Sequence, residues 1–162
     1  MSLSHFRQRR SKFSAALFPA LFGALLVACG PSEATRAQHP DPTKESWYAA
    51  GSEQLSRFNQ QAGALIAAGK DNDASAIITR TEGLAQRLIS VPSPTYEATK
   101  AVSDRTALYG QMLMKNKHYG WARMEFQKNV MRWKAWQPQT PETQAKLRDA
   151  ETQVAACDRQ LK

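Results

Sequence analysis

Proline placement limits what this chain can fold into. Six of its eight prolines fall in three close pairs, Pro40/Pro42, Pro92/Pro94 and Pro138/Pro141. Inside a helix a proline removes a backbone donor and clashes with the preceding turn, yet a first helical position accommodates it well. The pairs therefore cut residues 43–162 into blocks. Within each block apolar residues recur at intervals of three and four, the period of a helix with one buried face. The first block carries Trp47, Gly51, Leu55, Phe58, Ala62, Leu65 and Ile66, with Asp41 or Thr43 as N-cap. After Gly69 and a polar Lys70-Asp71-Asn72-Asp73 turn, one helix is predicted through Ala74, Ile77, Ile78, Thr81, Leu84, Ala85, Leu88 and Ile89. A third opens at Ser93-Pro94, a capping residue followed by proline, and runs through Val102, Tyr109, Met112 and Leu113 to a Lys115-Asn116-Lys117-His118 turn. The fourth spans Tyr119 to Trp136. The last opens with Thr140-Pro141-Glu142 and shows a stripe of Leu147, Ala150, Val154, Cys157 and Leu161. Nothing alternates with period two and no Asn-Gly or Asp-Gly hairpin turn occurs. The expected fold is all-α, with about five helices in antiparallel hairpins.

The first 28 residues have a different character. Arg7, Arg9, Arg10 and Lys12 stand there without an acid, so half of the formal charge of +8 lies in this short stretch. Phe13 to Ala28 then runs apolar and small up to Cys29. A basic head followed by a short apolar stretch is the anatomy of a secretory signal peptide. A membrane-spanning helix needs roughly 20 apolar residues, and Pro19 and Gly23 interrupt this one. The Arg9-Arg10 pair invites a twin-arginine export reading, but Ser11-Lys12-Phe13 departs from that pattern.

The tetrapeptide Leu26-Val27-Ala28-Cys29 resembles the lipobox of bacterial lipoproteins. The resemblance implies cleavage before Cys29, with acyl chains on its sulfur and on the freed amine. Two or more chains make a stable anchor, since each buried CH₂ contributes about 0.8 kcal/mol. In that family's sorting rule an Asp after the cysteine retains the protein at the inner membrane; Gly30 stands here and implies the outer membrane, with the domain in the periplasm. The chain then divides into a signal peptide at 1–28, the lipidated Cys29 with a flexible tether at 29–42, and a helical domain at 43–162. The tether GPSEATRAQHPDP is polar and turn-forming, and it reaches at most about 45 Å.

Tyr109-Gly110, Leu113, Tyr119, Ala122 and Phe126 together resemble one tetratricopeptide repeat. In that family small residues let two antiparallel helices approach while bulky ones fill the groove around them. Leu65, Gly69, Ala74 and Ile78 occupy corresponding places earlier in the chain. The family repeats near 34 residues, and these two hairpins are spaced more widely, so a repeat fold and a plain helical bundle both stay open. Either favours binding over catalysis.

Tyr119 to Trp136 is the most distinctive segment. On a helix, Tyr119, Ala122, Phe126, Val130 and Trp133 share one face, while Trp121, Met124, Met131 and Ala135 fall on nearly the opposite one. Such a helix packs on two sides or offers one side to a partner. Lys115, Lys117, Arg123, Lys128, Arg132 and Lys134 face a single acid in the same stretch, Glu125. Lys and Arg stems that cover a core edge explain such a pattern; so does a patch for an acidic protein, lipopolysaccharide phosphates or peptidoglycan carboxylates. Candidate partner-binding residues are Trp121, Arg123, Lys128, Arg132 and Trp136. Aromatics interleaved with basic residues also suit nucleic acid, but the export leader argues against that ligand.

Catalytic chemistry has little to stand on. There is no His-Glu-x-x-His, no Gly-x-Ser-x-Gly, no paired-cysteine zinc spacing and no phosphate-cradling glycine loop. His118 is one histidine in a lysine-flanked turn, and Cys157 lies on an apolar stripe as a buried thiol or an intermolecular disulfide partner. No catalytic residue, metal or cofactor is expected. The reading is a non-enzymatic outer-membrane lipoprotein, anchored through Cys29, whose helical domain binds another envelope protein as an adaptor or assembly factor. The alternative is an immunity or exclusion lipoprotein that neutralises a toxin or a conjugation apparatus. A peptidoglycan-acting enzyme is a third reading, because scattered acids can pair in a fold.

Overall fold

The computed structural model describes residues 40–162, and every regular element among them is helical. The expected signal peptide at 1–28, Cys29 and the expected tether up to residue 39 lie outside the described residues. After a short 3₁₀ turn at Pro42–Lys44 come α1 (Ser46–Ala67), α2 (Asp71–Arg80), α3 (Glu82–Ile89), α4 (Tyr96–Lys115), α5 (Tyr119–Ala135) and α6 (Pro141–Gln160). Helix α1 packs against α2, α3 and α4, and α5 lies between α4 and α6.

The stripe from Ala74 to Ile89 predicts one helix, and the structure forms two. The break falls at Thr81, which is buried and donates its hydroxyl back to the carbonyls of Ile77 and Ile78, both at 3.0 Å. Back-bonding of this kind competes with a helix ladder. Arg105 of α4 completes the break: its Nη2 donates to the Ile78 carbonyl at 2.7 Å and its Nε to the Thr81 hydroxyl at 3.3 Å. In an unbroken helix the Ile78 carbonyl would accept from the amide of residue 82; here a guanidinium from another helix uses it.

Capping follows the sequence at one end of the domain and departs from it at the other. Thr140 caps α6 as expected, with Pro141 in the first turn and a reciprocal pair in which Thr143 N donates to Thr140 Oγ1 and Thr140 N to Thr143 Oγ1. Helix α4 is capped by Thr95 and not by Ser93, since the Thr95 hydroxyl accepts from Ala98 N at 3.3 Å. The reason is long-range. The Tyr48 hydroxyl, buried under α3, donates to the Leu88 carbonyl at 3.0 Å and accepts from Thr95 N at 3.2 Å, which fixes the chain there. Asp41 caps the 3₁₀ turn, and α1 begins beyond it at Ser46 with no side-chain cap. Leu161, predicted on the stripe of the last helix, lies just past it and is exposed.

Two hairpins close with the same turn. Lys70 N bonds Leu65 O and Gly69 N bonds Ile66 O; His118 N bonds Leu113 O and Lys117 N bonds Met114 O. Both are Schellman motifs, which need a left-handed residue. Gly69 supplies it at φ 72° and Lys117 at φ 62°. The following residues also correspond, with Ala74 and Ala122 both fully buried where the second helix meets the first.

The core has three parts. Tyr48, Leu55, Leu88, Ala98 and Val102 join α1, α3 and α4. Ala62, Ala74, Ile77, Ile78 and Met112 join α1, α2 and α4. Ala122, Phe126 and Cys157, with Leu113, Met114 and Val154 beside them, bring in α5 and α6. Helix α5 is keyed to α4 at Ser103, whose hydroxyl accepts from Trp133 Nε1 at 2.8 Å and whose carbonyl accepts from Asn129 Nδ2 at 2.9 Å.

Gly110 sits where α4 meets α5. A Cβ there would lie 2.6 Å from Cε1 of Phe126, whose ring is buried and would have to shift. Replacing a helical glycine by alanine gains about 1 kcal/mol of propensity, while overpacking a filled core costs about 1–3 kcal/mol. Gly110→Ala is expected to lose about 1 kcal/mol net by urea unfolding. Gly63→Ala, where a Cβ meets only Leu108 at an ordinary 3.7 Å, is expected to gain stability. Equal effects at the two positions would contradict the close approach.

Candidate functional site

Helix α5 divides along its length as its sequence predicts. Ala122, Phe126, Asn129 and Trp133 are buried against α4 and α6. On the other side Trp121 is 65% exposed, Met124 54% and Met131 58%. Three large apolar side chains on one helix, each more than half in water, are uncommon on the surface of a domain that buries its other stripes. Trp and Met also suit a contact surface: the first supplies large rigid area and the second adapts to what it meets.

The five candidate residues do not all share this face. Lys128 lies on it, with Nζ 2.6 Å from the Glu125 carboxylate one turn away. Arg132 borders it, half-buried. Arg123 points the other way and pairs with Asp158 of α6 at 2.6 Å. Trp136, just past the end of α5, is half-buried in an aromatic cluster, its ring centroid 5.9 Å from Tyr96 and 6.2 Å from Trp133. Arg123 and Trp136 thus turn toward α6 and the aromatic cluster, while Trp121 and Lys128 stand on the outer face with Met124 and Met131, and Arg132 lies at its edge. In that cluster burial, with Glu142 beside it, pushes the Tyr96 phenol up to about 12.

A cleft of about 480 Å³ opens between α3, α4 and α5. Arg105, Lys128 and Arg132 line it together with Glu82 and Glu125, and Ile89, Val102 and Tyr109 form its apolar wall. Sequence reasoning missed Arg105. Its signal was its position, since the stripe Ala98, Val102, Arg105, Met112 places a guanidinium where the core of α4 runs, and it is only 8% exposed. It donates twice to the Ile78 carbonyl and pairs with Glu82.

Arg132 is held differently. Its Nη1 donates to Asn129 Oδ1, a neutral amide whose own nitrogen is engaged by Ser103. Among the described residues no carboxylate lies within ion-pair distance of it. Burial lowers its pKa, with the more distant Glu125 opposing. The clefts on the other side of α4 contrast with this one: they flank the strip Asp104, Ala107 and Gln111, and there Asp104 is paired with both Lys100 at 2.8 Å and Lys146 at 3.2 Å.

His118 is exposed in the turn before α5. Cys157 is fully buried with Sγ 3.2 Å from the Met114 sulfur, and burial pushes its thiol up. Among the described residues no group of three or more His, Cys, Asp or Glu side chains could hold a metal ion, and no helix is long and apolar enough to cross a membrane. Compared with known proteins, the chain matches no family model, and neither the curated proteins nor the solved structures show a significant similarity to it.

Proposed function

We propose that this chain is a non-enzymatic envelope lipoprotein, anchored in the outer membrane through acylated Cys29, whose periplasmic helical domain holds another envelope protein as an adaptor. Two features of the sequence support the compartment: the basic and apolar leader, and the Leu26-Val27-Ala28-Cys29 box with Gly30 behind it. The observation that carries the binding role is the outward face of α5, where Trp121, Met124 and Met131 stand exposed around Lys128. An apolar face with a lysine in its middle suits a partner surface that is apolar and locally acidic, because charge complementarity steers encounter and apolar anchors hold the complex. The same lysine, with Arg132 beside it, disfavours pairing of two α5 faces.

Photo-crosslinking tests this in cells that make the full chain. A benzophenone amino acid placed at Trp121, Met124 or Met131 is expected to give one shared protein adduct in the membrane fraction. The same group at Gln54 on α1 or Glu151 on α6, both exposed, is expected to give none. Absence of adducts at the three α5 positions, or identical adducts at all five, would contradict the role of this face.

A further inference from the structure

The cleft between α3, α4 and α5 holds an imbalance that the adaptor reading does not use. Three cationic side chains and two carboxylates line it. Glu82 is engaged by Arg105 and Glu125 by Lys128, so among the described residues the one unmatched charge of this lining is on Arg132. A half-buried guanidinium that meets only a neutral amide has lost part of its hydration without gaining a counter-charge, a costly state that an anion relieves. Guanidinium groups match phosphate oxygens through paired donors.

Unused donors remain on three side chains from two helices. Arg132 has engaged Nη1 alone. Arg105 has engaged Nε and Nη2, which leaves Nη1 without a partner among the described residues. Lys128 has spent one of its three hydrogens on Glu125. Donors arriving from three separate side chains suit a tetrahedral group with several oxygens better than a planar carboxylate with two. The volume of about 480 Å³ exceeds what a bare oxyanion fills, and the wall of Ile89, Val102 and Tyr109 offers apolar surface to whatever the anion is attached to.

We infer that this cleft is a binding site for one singly charged phosphate group, seated on Arg132 with Arg105 and Lys128 around it. The group could be supplied as free phosphate or as the phosphodiester of a lipid headgroup, and the chemistry of the seat is the same for both. This seat shares Lys128 with the outer face of α5 and Arg132 with its edge, and it needs none of the apolar side chains Trp121, Met124 and Met131 on which the protein-binding role rests.

The test uses the full chain in neutral dodecylmaltoside micelles with ¹⁵N-labelled arginine, reading the Nε–Hε resonances of Arg132 and Arg105. Three titrants are compared at constant ionic strength and slightly acidic pH: sodium phosphate, dihexanoyl phosphatidylglycerol and sodium acetate. Phosphate or the lipid is expected to move both resonances saturably, and whichever saturates at lower concentration identifies the source. Arg132→Gln, read through Arg105, is expected to weaken that binding by about tenfold or more. Should Arg132→Gln not fold, Lys128→Glu changes an exposed residue and is expected to weaken binding to a similar extent, while Gln54→Ala on the exposed side of α1 leaves it unchanged. No saturable shift with phosphate or the lipid would overturn the inference. So would acetate binding as tightly as either, or unaltered titrations in both charge variants.

Discussion

Trp133→Ala is expected to destabilise the domain by about 4 kcal/mol, a shift of about 15 °C in Tm for a domain of this size. The indole is fully buried, its Nε1 donates to Ser103 Oγ at 2.8 Å, and its ring meets Tyr96 at 6.0 Å and Trp136 at 6.2 Å. Truncation removes the largest buried side chain of the domain and leaves a cavity between α4, α5 and the aromatic cluster. Ser103→Ala deletes only the acceptor and leaves the buried indole N–H without its partner, which costs about 1–3 kcal/mol, so its loss is expected to be smaller. Urea unfolding followed by far-ultraviolet circular dichroism separates the two. A Trp133→Ala cost close to that of Ser103→Ala would show that packing around the indole does not hold α5.

Arg105→Met is expected to cost about 2–3 kcal/mol, because hydrogen bonds from a charged donor contribute about 1.5–3 kcal/mol and the Ile78 carbonyl loses its guanidinium partner. The methionine keeps much of the stem's volume, so the loss reports the polar head. Arg123→Met is the matched control. Its pair with Asp158 is also short, but both side chains are 44% exposed, and surface pairs contribute about 0–1 kcal/mol. The same unfolding experiment checks both variants. Equal losses would mean that Arg105 does not organise the break between α2 and α3.

These two residues also mark where sequence reading succeeds and where it stops. Trp133 is legible: it falls on the stripe of Ala122 and Phe126, and helical period alone places it in the core. Thr140-Pro141 is legible because a cap and a first-turn proline act within one turn of the chain. The break at Thr81 is not, since the apolar stripe continues across it from Ile78 to Leu84 and the residue that stabilises it, Arg105, lies in another helix. Likewise Ser93 and Thr95 are both competent caps, and a tyrosine hydroxyl from α1 decides between them. At the candidate site the two faces of α5 could be read directly. The separation of Arg123 and Trp136 from Trp121, Lys128 and Arg132 could not, because it depends on Asp158 and Tyr96 arriving from neighbouring helices.

In the proposed function, the exposed face of α5 works from a lipid anchor at Cys29. Under that proposal the anchor would keep the domain near the bilayer and so raise the local concentration of any envelope partner. Intact-mass measurement of the protein extracted from membranes tests this anchor most directly. The account predicts a chain that begins at Cys29 and carries a diacylglyceryl group on sulfur with a further acyl chain on the amine. A chain that still begins at Met1, or one cut in this region without added fatty acid, would contradict it.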